Sequence, residues 1–600
     1  MNELNYQTQL SRLANLLFFV VLLVFWGFFY SNHLVQKEQM QLFLLSFDYL
    51  KEHLSYQGGF VIYLGEFFTQ FFRFTWAAVL FTTFFIYQVS YASQKVLSRF
   101  FNSKIYLLAF VPAMGYNLLL LNIYFKLSGA IAVALSVWGV VFYLKQMAPV
   151  KRMISGFILI VLCYWMLGGT YISFALSIVL IELFIRFKKA GNLEDLPNSW
   201  MIISGYVLIG IVTPLFFHKF VLIDTLLSSF ISSAYYQFSP MLPTPLLLIF
   251  LSLPAILLFH GFADGLVSFN NRKILQPVLG ILLFFGFGFG LYHLADFEEE
   301  IEIQYENLVT QANWAKIINL AEQETPTGEK GKLALTLALG KTEQLSSKLF
   351  SFSPEINDLF IPFNIRGMAP LIANEPYFYL GLTNFSKMLC IETLESTPDG
   401  RSPVRMIKRY AENCIIDGQY DVAAKYLHAL EQTLFYRKWA NEAQKYIRDE
   451  EKINDHQVWG DIRNNRVKDD FYFNYDQIDL ALIALLRSNP QNKMAYEYIM
   501  SWYLLQKDFD EFLNYLPLVK TMGYHELPLV FQEALVYIKT LFNEVPENLN
   551  QYKISNEVRL RLNKYAKAFQ QGGSKKPDEM GKAFGKTYWY YVHFTELENE

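Results

Sequence analysis

Six hundred residues, 53% of them hydrophobic and 17% aromatic, make a chain richer in apolar side chains than a soluble protein of its length. The formal net charge of −3 conceals an asymmetry: residues 1–292 carry 17 Lys and Arg against 10 Asp and Glu, whereas residues 293–600 carry 34 against 44. An apolar, basic first half and an acidic second half read as a membrane-embedded part and a soluble part, and the lack of a basic tract in the second excludes nucleic acid as a partner.

In chain order, the first apolar run follows Arg12 as LANLLFFVVLLVFWGFFY. It is too long for a signal-peptide core and no small-residue cleavage site follows it, so it reads as an uncleaved signal anchor. About twenty apolar residues cross a bilayer core, and on that ruler the sequence predicts nine spans. They lie near 12–30, 70–92, 105–122, 128–144, 153–168, 170–186, 200–217, 244–262 and 274–293, the fifth and sixth separated only by LGGT and so open to being one kinked or re-entrant pair. Alternate loops hold Arg12, Lys95, Arg99, Lys104, Lys145, Lys151, Arg152, Arg186, Lys188, Lys189, Arg272 and Lys273, and the positive-inside rule makes that side cytoplasmic. The expected protein is therefore a multi-pass inner-membrane protein, N-terminus inside, with everything after about Ala295 extracytoplasmic.

Residues 296–600 lack strand alternation and contain helical-period runs such as WAKIINLAEQ (314–323) and YDVAAKYLHALEQTLFYRKWA (420–440). DGQYDVAAKYLHAL, with Gly418, Tyr420 and Ala423, and NPQNKMAYEYIMSWYLLQKDFDEFL, turning at Lys507–Asp508, resemble tetratricopeptide helix–turn–helix repeats. The fold class is thus all-α: a polytopic membrane bundle over 1–295 and an extracytoplasmic helical-repeat domain over 296–600. QQGGSKKPDEMGKAFGK (570–586) reads as a flexible connector, and TYWYYVHF (587–594) is too aromatic to stay solvated. Cys163, Cys390 and Cys414 form neither a disulfide framework nor a metal-ligand spacing.

Residues 31–72, between the first two spans, are far longer than a connector needs to be. From Glu38 onward Met40, Phe43, Leu44, Phe47, Leu50 and Leu54 fall on one helical face, as in a helix lying in the membrane interface. Gly58–Gly59 then break the helix before FVIYLGEFFTQFF leads into the second span. This order of span, acid, interfacial helix, turn and span resembles glycosyltransferases of the GT-C class, some of which carry tetratricopeptide repeats on the non-cytoplasmic side. The resemblance implies a polyprenyl-phosphate-linked sugar donor and assigns Glu38 as the catalytic acid, with Gln39 standing where a paired acid is common. Nearly the whole chain also resembles an uncharacterised bacterial family of multi-span proteins with helical-repeat C-terminal halves, through EQMQLF, QGGFVIYLGEFFTQFF, DGQYDVAAKYL and TYWYYVHF.

Glycosyl transfer from a lipid phosphate needs a base for the acceptor proton or a ligand for a cation, and a carboxylate at the membrane surface supplies either. Glu38 and Asp48 are the candidate catalytic acids, and Arg73, His218 and Lys219 the candidate phosphate-binding groups. Each also has a plain structural reading: Glu38 as a solvated helix-start acid, Asp48 with Lys51 and Glu52 as a polar face, Arg73 and Lys219 as snorkelling span ends. Glu182 pairs with Arg186 one turn on. There is no phosphate loop, HExxH or nucleophile elbow, and the sequence names no cofactor. A non-enzymatic, membrane-anchored scaffold whose repeats bind a protein partner is the alternative from a different functional class.

Overall fold

The computed structural model describes the chain apart from residues 1, 101–105, 147, 190–195, 222–224, 231–234, 238–243, 267–271, 362–370, 398–401, 469–476, 542–546 and 596–600. Among the described residues the secondary structure is helical, and the one piece of β pairing is an isolated antiparallel bridge, Phe125 to Tyr236. The chain forms two compact units. The first comprises 1–300 with 397–404 and 431–437, and the second 301–396, 405–430 and 438–600.

The first unit begins with α1 (Asn2–Val24), α2 (Ser31–Gln39), α3 (Phe47–His53), α4 (Gly59–Thr69), α5 (Thr75–Phe100), α6 (Val111–Leu120) and α7 (Leu127–Lys145). It continues through α8 (Pro149–Leu167), α9 (Tyr171–Lys189), α10 (Leu196–Phe220), α11 (Leu226–Phe230), α12 (Thr244–Leu266) and α13 (Arg272–Leu294). Nine spans are not found among the described residues. Four stretches among the described residues are long and apolar enough to cross a membrane: Arg12–Phe29, Leu127–Lys145, Pro149–Ile185 and Trp200–Phe220. A fifth qualifies only if Val278–Leu294 is joined to Phe297–Thr310 across a 56° bend. The shortfall has local causes. Helix α5 interleaves Thr82, Thr83, Gln88, Ser90, Ser93 and Gln94 with its apolar residues, and the apolar helices Leu107–Leu120 and Thr244–Phe259 are short. Leu16, Val20, Phe28, Leu208 and Ile211, all on qualifying stretches, are exposed, as lipid-facing side chains would be.

Pro149–Ile185 is folded back on itself. Gly168 takes φ +68°, and Arg152 near the start of α8 reaches Glu182 near the end of α9, Nε to Oε1 2.6 Å. In a continuous helix those residues would lie about 45 Å apart. The two arms are therefore an antiparallel hairpin of 19 residues each, about 28 Å long. Glu182 accepts from Arg152 and from the Tyr143 hydroxyl (2.6 Å), which joins α7, α8 and α9, and the side chain of Arg186, its expected partner one turn on, lies outside the described residues.

In the second unit consecutive helices pack in pairs, Trp314–Gln323 with Glu329–Lys341, Ile478–Ser488 with Lys493–Leu505, and the latter with Phe509–Tyr515. Gly418 (φ +77°) makes the turn between Val404–Ile416 and Tyr420–Glu431, whose faces meet at Tyr410 and Tyr426. Ala423 is fully buried. Buried ion pairs brace this unit: Arg405 bridges Glu306 and Glu375 at 3.1 Å each, and Arg409 bridges Glu375 (2.7 Å) and Glu412 (2.6 Å). The segment 587–594 docks as its aromatic content predicts: Tyr588 and Trp589 are fully buried and bond to Leu504 and Glu533. The expected connector 570–586 is instead structured, with helix Pro577–Phe584 holding Met580 in the core. Cys390 and Cys414 are buried free thiols, and burial raises both pKa values, that of Cys414 to about 11.

Candidate functional site

The loop between α1 and α5 is built of three short helices. One amphipathic helix starting at Glu38 is not formed. Helix α2 ends at Gln39, and residues 41–45 run without helix, their Leu45 N–H donating to the Gln432 carbonyl (2.8 Å). Ser46 then caps α3 by accepting from the Tyr49 N–H. The predicted apolar stripe is split accordingly, with Met40 and Phe43 buried and Phe47 exposed. The Gly58–Gly59 turn is required sterically. Gly58 has φ +72° and packs on the backbone of Gly168, and any Cβ on Gly59 would overlap the His53 carbonyl.

Glu38 is 4% exposed, and its carboxylate accepts from the Tyr436 hydroxyl at 3.1 and 3.3 Å. The Arg73 guanidinium lies over the Tyr436 ring, 4.9 Å from its centre. Phe435 stacks edge-on against Phe71 and Phe74, which seats the 431–437 segment on the loop. A small cleft of about 10 Å³ opens here, walled by Glu38, Gln41, Phe43, Gln70, Val404, Thr433, Phe435 and Tyr436. Burial pushes the Glu38 carboxyl up to about 7, with Arg73 and the Tyr436 hydroxyl opposing the rise. A carboxyl that titrates near neutrality can take or give a proton there.

The other expected site residues are dispersed. Asp48 is exposed in the first turn of α3, where its charge suits the helix dipole, and it lines neither cleft of this loop. His218 and Lys219 end α10, the Lys219 ammonium lying over the Phe220 ring, and they too line neither cleft. Parts of the second long loop, 222–224, 231–234 and 238–243, lie outside the described residues.

The structure adds residues that the sequence reading left aside. Lys37, beside Glu38, is buried and donates to the carbonyls of Leu120 (3.2 Å), Asn122 (3.3 Å) and Phe125 (2.7 Å) past the end of α6. Burial pulls its ammonium down to about 7. Glu66 is 2% exposed. Its Oε2 takes the Tyr49 hydroxyl at 2.6 Å and faces His53 Nε2 at 3.1 Å. His53 Nδ1 lies 2.8 Å from the Tyr49 carbonyl, which can only accept, so Nδ1 carries a proton. A glutamate within the apolar FVIYLGEFFTQFF was the sequence signal for this cluster. Tyr436 gave no comparable signal, being about 400 residues from Glu38 in sequence.

These features define an all-helical protein with helices long and apolar enough to cross a membrane and a buried acid in the loop after the first. The chain belongs to DUF6057, a family of unknown function, whose model matches residues 6–595. The comparison with curated proteins found no match, and that with solved structures found none.

Proposed function

We propose that the protein is a GT-C-like transferase of the inner membrane, acting on a polyprenyl-phosphate-linked sugar at the outer face with Glu38 as the base. The observation that supports this most is the Glu38 carboxyl itself. It is buried against a cleft, it titrates near 7, and the exposed cation Arg73 stands nearby. A solvated helix-start glutamate would have none of these properties. In this reading the acceptor hydroxyl loses its proton to Glu38 as it attacks the anomeric carbon, and the lipid phosphate leaves with the bonding electrons. Arg73 is the group placed to attract that phosphate. The helix–turn–helix pairs of the second unit, read as tetratricopeptide-like repeats, bind the acceptor or a protein partner.

Complementation of a deletion strain tests this. Glu38→Gln should abolish function at normal protein level, and Glu38→Asp should retain part of it, since the carboxylate survives with shorter reach. Full function in Glu38→Gln removes the transferase reading. The scaffold alternative has one observation in its favour, the Tyr436 hydroxyl seated on the carboxylate, which makes Glu38 a latch for residues 431–437. As a latch, Glu38 is replaceable by any residue that accepts from Tyr436.

A further inference from the structure

The two clefts of the 31–72 loop hold about 10 and 30 Å³. A roomier groove, about 420 Å³, lies at the other end of α1, between that helix and α5. The stretch Arg12–Phe29 covers 18 residues, about 27 Å of helix, so nearly the thickness of a bilayer core separates the groove from the Glu38 loop. A buried polar clasp sets its position. Asn15 Nδ2 donates to Gln94 Oε1 (2.5 Å) and Gln94 Nε2 to Asn15 Oδ1 (3.1 Å), which fixes α1 against α5. One turn further along α1, Phe19 meets Tyr87 edge-on, ring centres 5.5 Å apart, and Tyr87 stacks on Tyr91 at 5.9 Å. These three rings line the groove together with Arg12, Asn15 and Leu16.

Two kinds of surface meet here. One is cationic. Arg12 precedes Asn15 by three residues, and Lys95 follows Gln94, its ammonium 5.2 Å from the centre of the Tyr91 ring. Arg99 comes one turn later on α5. All three side chains are exposed, and none pairs with a carboxylate among the described residues. The other surface is apolar. Leu13, Leu16, Leu17 and Val20 on α1 and Leu80 and Phe84 on α5 are exposed, as side chains against acyl chains would be.

The cations call for an anion, and the apolar wall says which. A free phosphate would satisfy the charges and leave Leu16 and the rings against water. A zwitterionic lipid would bring a cation of its own to three others. An anionic phospholipid matches both surfaces. Tyr87 and Tyr91 suit the boundary between headgroup and acyl chain, their rings being apolar and their hydroxyls polar. Arg12, Lys95 and Arg99 also belong to the basic set that marks the cytoplasmic side, where basic pockets between membrane helices take such headgroups.

We propose that the α1–α5 groove binds one anionic phospholipid, its phosphodiester held by Arg12 and Lys95 and the start of one acyl chain lying on Leu16, Phe19 and Tyr87. A space of about 420 Å³ takes a headgroup and the first methylenes, the rest of the lipid staying in the bilayer. The proposal is independent of the transferase reading, since it uses no residue of the Glu38 site and no turnover.

The experiment is native mass spectrometry of the full-length protein released from nanodiscs that hold equal parts of phosphatidylglycerol and phosphatidylcholine. One phosphatidylglycerol should stay bound in preference to phosphatidylcholine. Arg12→Gln and Lys95→Gln should each weaken retention about fivefold, the worth of one cation beside an anionic headgroup. Lys151→Gln changes an exposed cation of α8 outside the groove and should leave retention unchanged. Leu16→Trp keeps every charge but fills the groove, so it should lower retention as well. All four replace exposed side chains, so their melting temperatures in phosphatidylcholine alone should stay close to that of the unsubstituted protein. Equal retention of the two lipids, a loss in Lys151→Gln as large as in Arg12→Gln, full retention in Leu16→Trp, or displacement by millimolar inorganic phosphate overturns the proposal.

Discussion

The Glu38→Gln substitution separates a working acid from a structural one by its effect on stability. Glu38 is buried at about 7, against an ordinary value of 4.5. Its folded pKa is raised, so the folded state holds a proton between pH 4.5 and 7 that the unfolded chain has released. Stability is therefore full below 4.5, falls as pH rises to 7, and is level above it. The difference of about 2.5 units corresponds to about 3 kcal/mol of stability lost at pH 8 relative to pH 4. Glutamine has the same shape and no charge, so it avoids that loss. The melting temperature of Glu38→Gln should match that of the unsubstituted protein near pH 4 and exceed it by about 2–3 °C at pH 8. Lys37, which also titrates near 7, is present in both proteins, so its contribution cancels in the difference. Scanning fluorimetry across pH 4–8 in nanodiscs supplies the data. A pH-independent difference, or a Glu38→Gln protein less stable at pH 8, would refute a buried carboxyl held near neutrality and leave the latch.

Three further outcomes follow from the same geometry. Tyr436→Phe removes the hydroxyl that lowers the Glu38 pKa, so the acid limb of the pH–activity profile, where activity rises as Glu38 loses its proton, should move to higher pH, and an unmoved limb would dissociate Glu38 from the chemistry. Glu182→Leu leaves the partly buried Arg152 guanidinium without its carboxylate and should cost about 3–5 kcal/mol, read as loss of folded protein in the membrane, with Arg152→Leu in the same chain restoring part of it. Ala423→Asp puts a charge at a fully buried position and should lower the melting temperature of the protein, whereas a neutral effect would mean that the Gly418 turn does not enforce close packing there.

How much of this was legible in the sequence depends on how local each signal is. Helix Trp314–Gln323 coincides with its 3.6-residue apolar pattern, and the turns at Gly418, Gly58 and Lys507 sit where their residues place them, because backbone sterics are local. The nine spans failed because apolar content alone does not measure a helix. Helix α5 carries its polar residues inward, where Gln94 pairs with Asn15. The amphipathic helix after Glu38 failed for a long-range reason, the bond from Leu45 to Gln432, invisible to a window of eighteen residues. The same limit hid Tyr436. The run 420–440 reads as one helix, yet it breaks after Glu431, and the break supplies Thr433, Phe435 and Tyr436 to the Glu38 cleft. Glu66 was visible as a charge in an apolar run, but His53 and Tyr49, which orient it, became its partners only through the Gly58–Gly59 turn.

The transferase account is tested most directly by extracting lipids from cells whose only copy carries Glu38→Gln at unchanged protein level, and resolving polyprenyl-phosphate species by mass spectrometry. The account predicts accumulation of a polyprenyl-linked sugar equal to that in a full deletion. A lipid profile identical to that of the unsubstituted protein, while the deletion accumulates the species, would contradict it.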